Sequence, residues 1–125
     1  MARNIMHEGS ESDVMPFTNT TGSAIAAGAV VKLSHTIGVA LADIAIGATG
    51  SVAVEGVIIN VPKTTGAAWA QGEKLQWDVS AGTFAGSTAT PATGDVTGAA
   101  IAWLAALSAD AVGVIKLTPG NATLT

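Results

Sequence analysis

Lys74-Leu75-Gln76-Trp77-Asp78-Val79 decides the fold class. Apolar Leu75, Trp77 and Val79 alternate with polar Lys74, Gln76 and Asp78, which is the two-residue period of a half-buried strand. Ser80-Ala81-Gly82-Thr83 follows as a turn, and Phe84 begins a short return. Upstream, Gly28-Ala29-Val30-Val31-Lys32-Leu33 reads as a strand with Val31 and Leu33 on one face, and Ile37 to Ala42 as the next, ended by Asp43. Ser51 to Glu55 and Val57 to Val61 continue the series, with Gly56 marking a bulge or sharp bend between them. Lys63 to Gly72 is the one helical candidate, with Thr64 or Thr65 as its cap. Downstream, residues 85 to 98 read as a loop around Pro91. Ala99 to Leu107 is apolar on every side, which fits a helix or a buried strand; its strand neighbours favour the strand. Ala111 to Leu117 closes the series.

Six to eight short strands at roughly ten-residue spacing predict a mainly β fold. The expected form is a small antiparallel β-barrel or sandwich, with at most one or two short helices. Residues 1–21 differ from the rest: they hold Arg3, His7, Glu8, Glu11, Asp13 and all three methionines, and Pro16 forbids a continuing helix. They read as an extended N-terminal arm, ordered against something else, with a frayed terminus as the simpler alternative. Residues 22–125 form a single β-rich body.

A chain of 125 residues and 12.2 kDa supplies one domain. Area scaling allows one real core and not two independent ones. Five Lys and Arg against nine Asp and Glu leave a net charge of −4, so the basic stripe of a free-standing nucleic-acid binder is missing. A basic membrane-surface helix is equally unsupported. With no cysteine, neither disulfides nor thiolate metal sites arise. The first residues lack the apolar core of a signal peptide, and Ala99–Leu107 is about half a bilayer span. A soluble intracellular product is the expectation.

Catalytic chemistry is thinly provided. His7 lies near Glu8, Glu11 and Asp13, a donor set that could hold a metal, but an arm gives it no oriented second layer of partners; solvated charges are the plainer reading. Ser34-His35 sits in a hairpin turn, and strand neighbours point to opposite faces, so the pair is not a triad. The acidic residues stand singly at turns. Gly66 to Lys74 departs from a phosphate loop: five residues separate its glycines and Glu73 precedes the lysine. No cofactor is expected. Trp69, Trp77 and Trp103 suit packing, in the core or at a subunit interface, better than base stacking, which needs companion cations. With 49% hydrophobic residues and 11% charged, the chain carries more apolar surface than one small core hides, which favours contact with other subunits.

Several stretches carry a family resemblance. They are Ala27 to Val31, Ile37 to Ala42, Gly50 to Val57, the series Val61-Pro62-Lys63, Ala67 to Gly72 and Leu75 to Asp78, and the ending Ala111 to Leu117. With Ile5-Met6-His7-Glu8-Gly9 before the first strand, their order and spacing resemble the capsid cement (decoration) proteins of tailed bacteriophages, the DUF2190 family, over roughly residues 1 to 118. Trp103 departs from the family pattern, where a small residue is usual. The resemblance implies a non-enzymatic structural protein on the outer surface of an expanded phage head, made in the host cytoplasm. It would clamp neighbouring major capsid subunits against the pressure of packaged DNA. Its partners would be the major capsid protein and itself, as a homotrimer in preference to a dimer, with no direct nucleic acid or membrane contact. Capsid binding is expected at Asn4, Ile5, Met6, His7, Glu8, Val14 and Met15, with the arm adding a strand to a capsid sheet. Self-association is expected at Trp69, Trp77 and Trp103. A head-fibre base, a tail-associated β module and a small-ligand binder are the competing readings.

Overall fold

Ten strands and no helix make up residues 13–125, the part of the chain that the computed structural model describes. The smaller sheet contains β1 (Val14–Thr18), β2 (Val30–Leu33), β3 (Thr36–Ala40) and β4 (Thr49–Ala53), in the order β1-β4-β3-β2. The larger contains β5 (Gly56–Pro62), β6 (Lys74–Asp78), β7 (Thr83–Ala85), β8 (Val96–Ala102) and β9 (Val112–Leu117), in the order β5-β9-β8-β6-β7. The short β10 (Thr123–Leu124) pairs with β8. Every ladder between strands is antiparallel. The larger sheet curls until its ends meet: Thr64 N–H, just past β5, donates to the Phe84 carbonyl of β7 at 2.9 Å. The barrel-or-sandwich expectation therefore holds.

The two sheets are built on one plan. Asn19-Thr20-Thr21-Gly22-Ser23-Ala24-Ile25-Ala26-Ala27-Gly28 aligns without a gap on Lys63-Thr64-Thr65-Gly66-Ala67-Ala68-Trp69-Ala70-Gln71-Gly72. The backbone agrees. Ile25 bridges Ile44 as Trp69 bridges Ala106. Gly28 N–H donates to Ala40 O and Ala40 N–H to Ala29 O; likewise Gly72 N–H donates to Ala102 O and Ala102 N–H to Glu73 O. Strands β1, β2, β3 and β4 thus correspond to β5, β6, β8 and β9, which is why the two orders match. Glycine makes room for the bridging residue each time: a Cβ on Gly50 of β4 would run into Ile44, and one on Gly113 of β9 into the Trp69 ring. The second unit differs by an insertion. Where β2 and β3 join through the two-residue turn Ser34-His35, β6 and β8 are separated by β7 and a loop.

Packing follows the same duplication. Val31, Ala40, Ile44 and Val52, with Phe17, Ile25 and Leu33, fill the first unit. Val61, Trp69, Leu75, Trp77, Ala102, Ala106 and Ile115 hold the corresponding places in the second. The hydrophobic interior is thus divided in two, against the expectation of one core. The halves are not independent, because Ile37 and Val39 on the other face of β3 belong to the larger cluster, and Lys32 Nζ crosses to the Gly94 carbonyl at 2.8 Å.

Lys63–Gly72 is not helical, which corrects the sequence expectation. Lys63 Nζ takes the carbonyls of Thr64 and Ala67 at 2.9 and 2.7 Å, and Gly66 adopts a φ of 100°, so no helical ladder can start. Ala99–Leu107 is strand only as far as Ala102, where β8 ends. Within the expected arm, Val14–Thr18 forms β1, laid along β4; residues 1–12 lie outside the described part.

Candidate functional site

Most side chains able to do chemistry hold turns together. Asp95 is buried and accepts from Gln76 Nε2 at 2.9 Å, Ala92 N–H at 2.8 Å and Val79 N–H at 3.1 Å. Glu73 accepts from the Ala70 and Ser87 amides, and these bonds hold its carboxyl below the ordinary carboxylate range. Asp78 is lowered likewise, chiefly by the Ala81 amide and then by the Ser80 hydroxyl. Ser34 Oγ and His35 Nδ1 do meet, at 3.0 Å, because Ser34 has a φ of 65° and is not extended. Both are exposed. Among the described residues no three His, Asp or Glu side chains come together.

One buried polar residue marks the start of each repeat. Asn19 Nδ2 donates to Ser23 O at 2.8 Å and Ile44 O at 3.0 Å, while its Oδ1 accepts from the Thr21 amide and hydroxyl. Lys63, its counterpart, donates to Thr64 O, Ala67 O and Asp110 O, and its Nζ lies 5.5 Å from the Trp69 ring centroid. Each side chain ties the end of an outer strand to the turns of its unit. Both are clamps of the fold and have no capacity left for a ligand.

The three tryptophans separate. Trp69 is 3% exposed and donates its indole N–H to Leu104 O at 3.0 Å. Trp77 is 8% exposed and tilts against Phe84 at 4.9 Å between ring centroids. These two belong to the barrel core. Trp103 is 43% exposed, with Lys116 Nζ 5.5 Å from its ring centroid. It borders a shallow recess of about 270 Å³ with Gln71, Gly72, Ile101 and Leu104.

Trp103 stands on a larger apolar surface. Ile115 and Leu117 of β9 point into the core, so by strand alternation Val112, Val114 and Lys116 point out. Lys116 pairs with Val57 of β5 on one side and Ile101 of β8 on the other, which makes a row across three strands. Val57, Ile59, Leu104, Leu107 and Val112 are all exposed on β5, on β9 or in the loop after β8. Sequence reading missed this surface because Val112 to Leu117 looks like a buried strand throughout; the signal available was Lys116 at every second position from Val112 and Val114.

Of the residues expected to bind a partner through the arm, Asn4, Ile5, Met6, His7 and Glu8 lie outside the described residues. Val14 and Met15 are in β1. Val14 lines a recess of about 300 Å³ with Pro16, Leu41 and Ser51; Met15 is exposed on the other face. Asp13 O accepts from Val54 N–H and Asn19 N–H donates to Ala48 O. Antiparallel alternation then turns the backbone groups of Val14, Pro16 and Thr18 away from β4, toward an edge that no described strand pairs. Pro16 has no N–H to offer there, which blunts that edge.

A family model described as phage cement protein matches residues 9–117. No curated protein and no solved structure matches the chain.

Proposed function

The chain belongs to the phage cement protein family, and from that premise we propose that it binds the outside of an expanded phage head and clamps neighbouring major capsid subunits. The observation that carries the reading is the family match, which spans nearly the whole chain and both β units. A capsid-stabilising structural role is what that family implies. The finer assignments rest on the surfaces. The exposed outer face of β5, β9 and β8 around Trp103 serves self-association, with a trimer favoured over a dimer. Residues 2–12, with Asn4, Ile5, Met6, His7 and Glu8, serve the capsid, because Val14 to Thr18 is already paired within the chain and Pro16 blunts the remaining edge. Individually weak contacts suffice when one oligomer touches several capsid subunits at once, since each engaged contact raises the effective concentration of the next. Tied-down capsid subunits then separate less readily under the pressure of packaged DNA.

Co-sedimentation with cognate heads tests this. Saturable binding of hundreds of copies is expected on expanded heads and none on unexpanded ones, an order-of-magnitude stoichiometry that follows from one site per capsid subunit or local axis. Removing residues 2–12 spares β1 and is expected to abolish or greatly weaken the binding. A full-length chain that ignores both forms of the head overturns the reading. Unchanged binding by the shortened chain returns the capsid contact to the body.

A further inference from the structure

The duplicated plan shows what one unit has and the other lacks. In the second unit the outer edge of β6 is covered by β7, with Gln76 opposite Ala85, Trp77 opposite Phe84 and Asp78 opposite Thr83. Phe84 is fully buried there, against Trp77. Two further bonds seat β7: Thr64 N–H to Phe84 O at 2.9 Å, and Thr64 Oγ1 to Thr83 Oγ1 at 2.7 Å.

In the first unit the counterparts of the groups that seat β7 are present, and no described residue pairs with them. Ala40 N–H donates to Ala29 O, so Val31 and Leu33 turn their backbone groups toward β3, and Val30 and Lys32 turn theirs outward. No described backbone group bonds to the outward groups of Val30 or Lys32. Thr20, the counterpart of Thr64, is exposed. Leu33, the counterpart of Trp77, is only half-buried.

We propose that the outer edge of β2 receives one short extended segment of the major capsid protein, seated as β7 is seated on β6. The occupant's chemistry is read from β7: three residues or so in extended form, with one large apolar side chain over Leu33 and small residues on either side. Its backbone pairs with Lys32, and a carbonyl of the segment accepts from Thr20 N–H. This recognises a backbone conformation more than a sequence. The assignment to the capsid rests on the cement reading above, and it adds a second attachment on the body, separate from residues 2–12.

Lys32→Pro and Lys32→Ala test the edge. The Lys32 N–H points outward, so proline removes only the donor offered to a guest, and Val31 before it is already extended as proline requires. Alanine removes the side chain and its bond to Gly94 but keeps the N–H. Lys32→Pro is expected to weaken binding to expanded heads by about tenfold or more, and Lys32→Ala to leave it within about twofold. In the unmodified chain, amide exchange at Thr20 and Lys32 is expected to slow on heads; this measurement decides the matter if Lys32→Pro does not fold. Lys32→Pro binding like the unmodified chain, or amides that exchange equally fast on and off heads, overturns the edge assignment and leaves the cement reading standing. An unmodified chain that binds no heads overturns both. Slow exchange at these amides without heads, together with a dimer or larger species, gives the edge to a second copy and overturns the capsid assignment.

Discussion

The first unit and the second follow one backbone plan with different fillings. Around the same bridge, the first packs Ile25 where the second packs Trp69, and Leu33 where the second packs Trp77. The first is clamped by a neutral amide, Asn19, and the second by a cation, Lys63. The first ends its second strand in a two-residue turn, whereas the second inserts β7 and closes. A fold can therefore be repeated for its hydrogen-bond pattern while the interior is resized, provided the bridging residue and the glycine facing it change together.

That difference is open to attack from several sides. The largest effect is expected at the bridge. Trp69→Ala removes one of the two buried tryptophans of the second unit and should cost about 3–5 kcal/mol of unfolding free energy. Ile25→Ala, at a half-buried place, should cost about 1–2 kcal/mol, since fewer buried methylenes are lost. Urea titration of both variants measures the gap. Equal costs would show that the bridge itself, and not its filling, sets the stability.

The clamps come next. Lys63→Met leaves the carbonyls of Thr64, Ala67 and Asp110 without their donor and should cost about 2–3 kcal/mol. Asn19→Leu removes four bonds, but Thr21 and Ser23 are exposed and bond each other, so only the Ile44 carbonyl is stranded in the interior and the cost should be about 1–2 kcal/mol. Thermal unfolding reads both. A Lys63 variant as stable as the parent would mean that the cation is dispensable to the fold and must be explained by something outside it.

The smallest effect is expected in acid, and it should fall on the second unit, which holds the two lowered carboxylates found among the described residues. Glu73 and Asp78 sit below their ordinary range in the folded chain because backbone amides and serine hydroxyls stabilise their charged forms. Their contribution is present above the unfolded value, about 4 for such groups, and is lost as pH falls through the lower folded value. Both are well solvated, so the loss is modest. Glu73→Gln should flatten the acid limb of a stability–pH curve, and a curve parallel to the parent's would show that these turn bonds do not couple to folding.

Much of the fold could be read from residues alone. Leu75 and Trp77 announced a strand by their spacing and Gly82 the turn to β7, although Val79 lies past the end of β6 and is exposed. The duplication was equally present in the letters, yet it lies in threonines, glycines and alanines that are common all along this chain, so no single match stood out. Four of the ten aligned positions differ and conceal the repeat, and two of them, Asn19 against Lys63 and Ile25 against Trp69, decide the packing. Lys63 to Gly72 resembled a helix because alanine favours one; only the fold reveals that a buried ammonium claims the carbonyls a helix would need. Trp69, Trp77 and Trp103 could not be ranked, since burial of an aromatic depends on which face of a strand or turn meets the core. The exposed surface around Val57, Ile59 and Val112 stayed hidden for the same reason.

Pro16 and the outer edge of β2 stand on opposite borders of the same small sheet. One border refuses a neighbour and the other accepts one. Such a sheet behaves as a chain terminator: it can be lengthened by a single strand, after which the far side offers no start for the next. Stacking copies edge to edge into a fibre needs two receptive borders. With only one, the small sheets of a crowded population stay separate even when copies associate through the face around Trp103, each able to take one guest and none able to seed a filament.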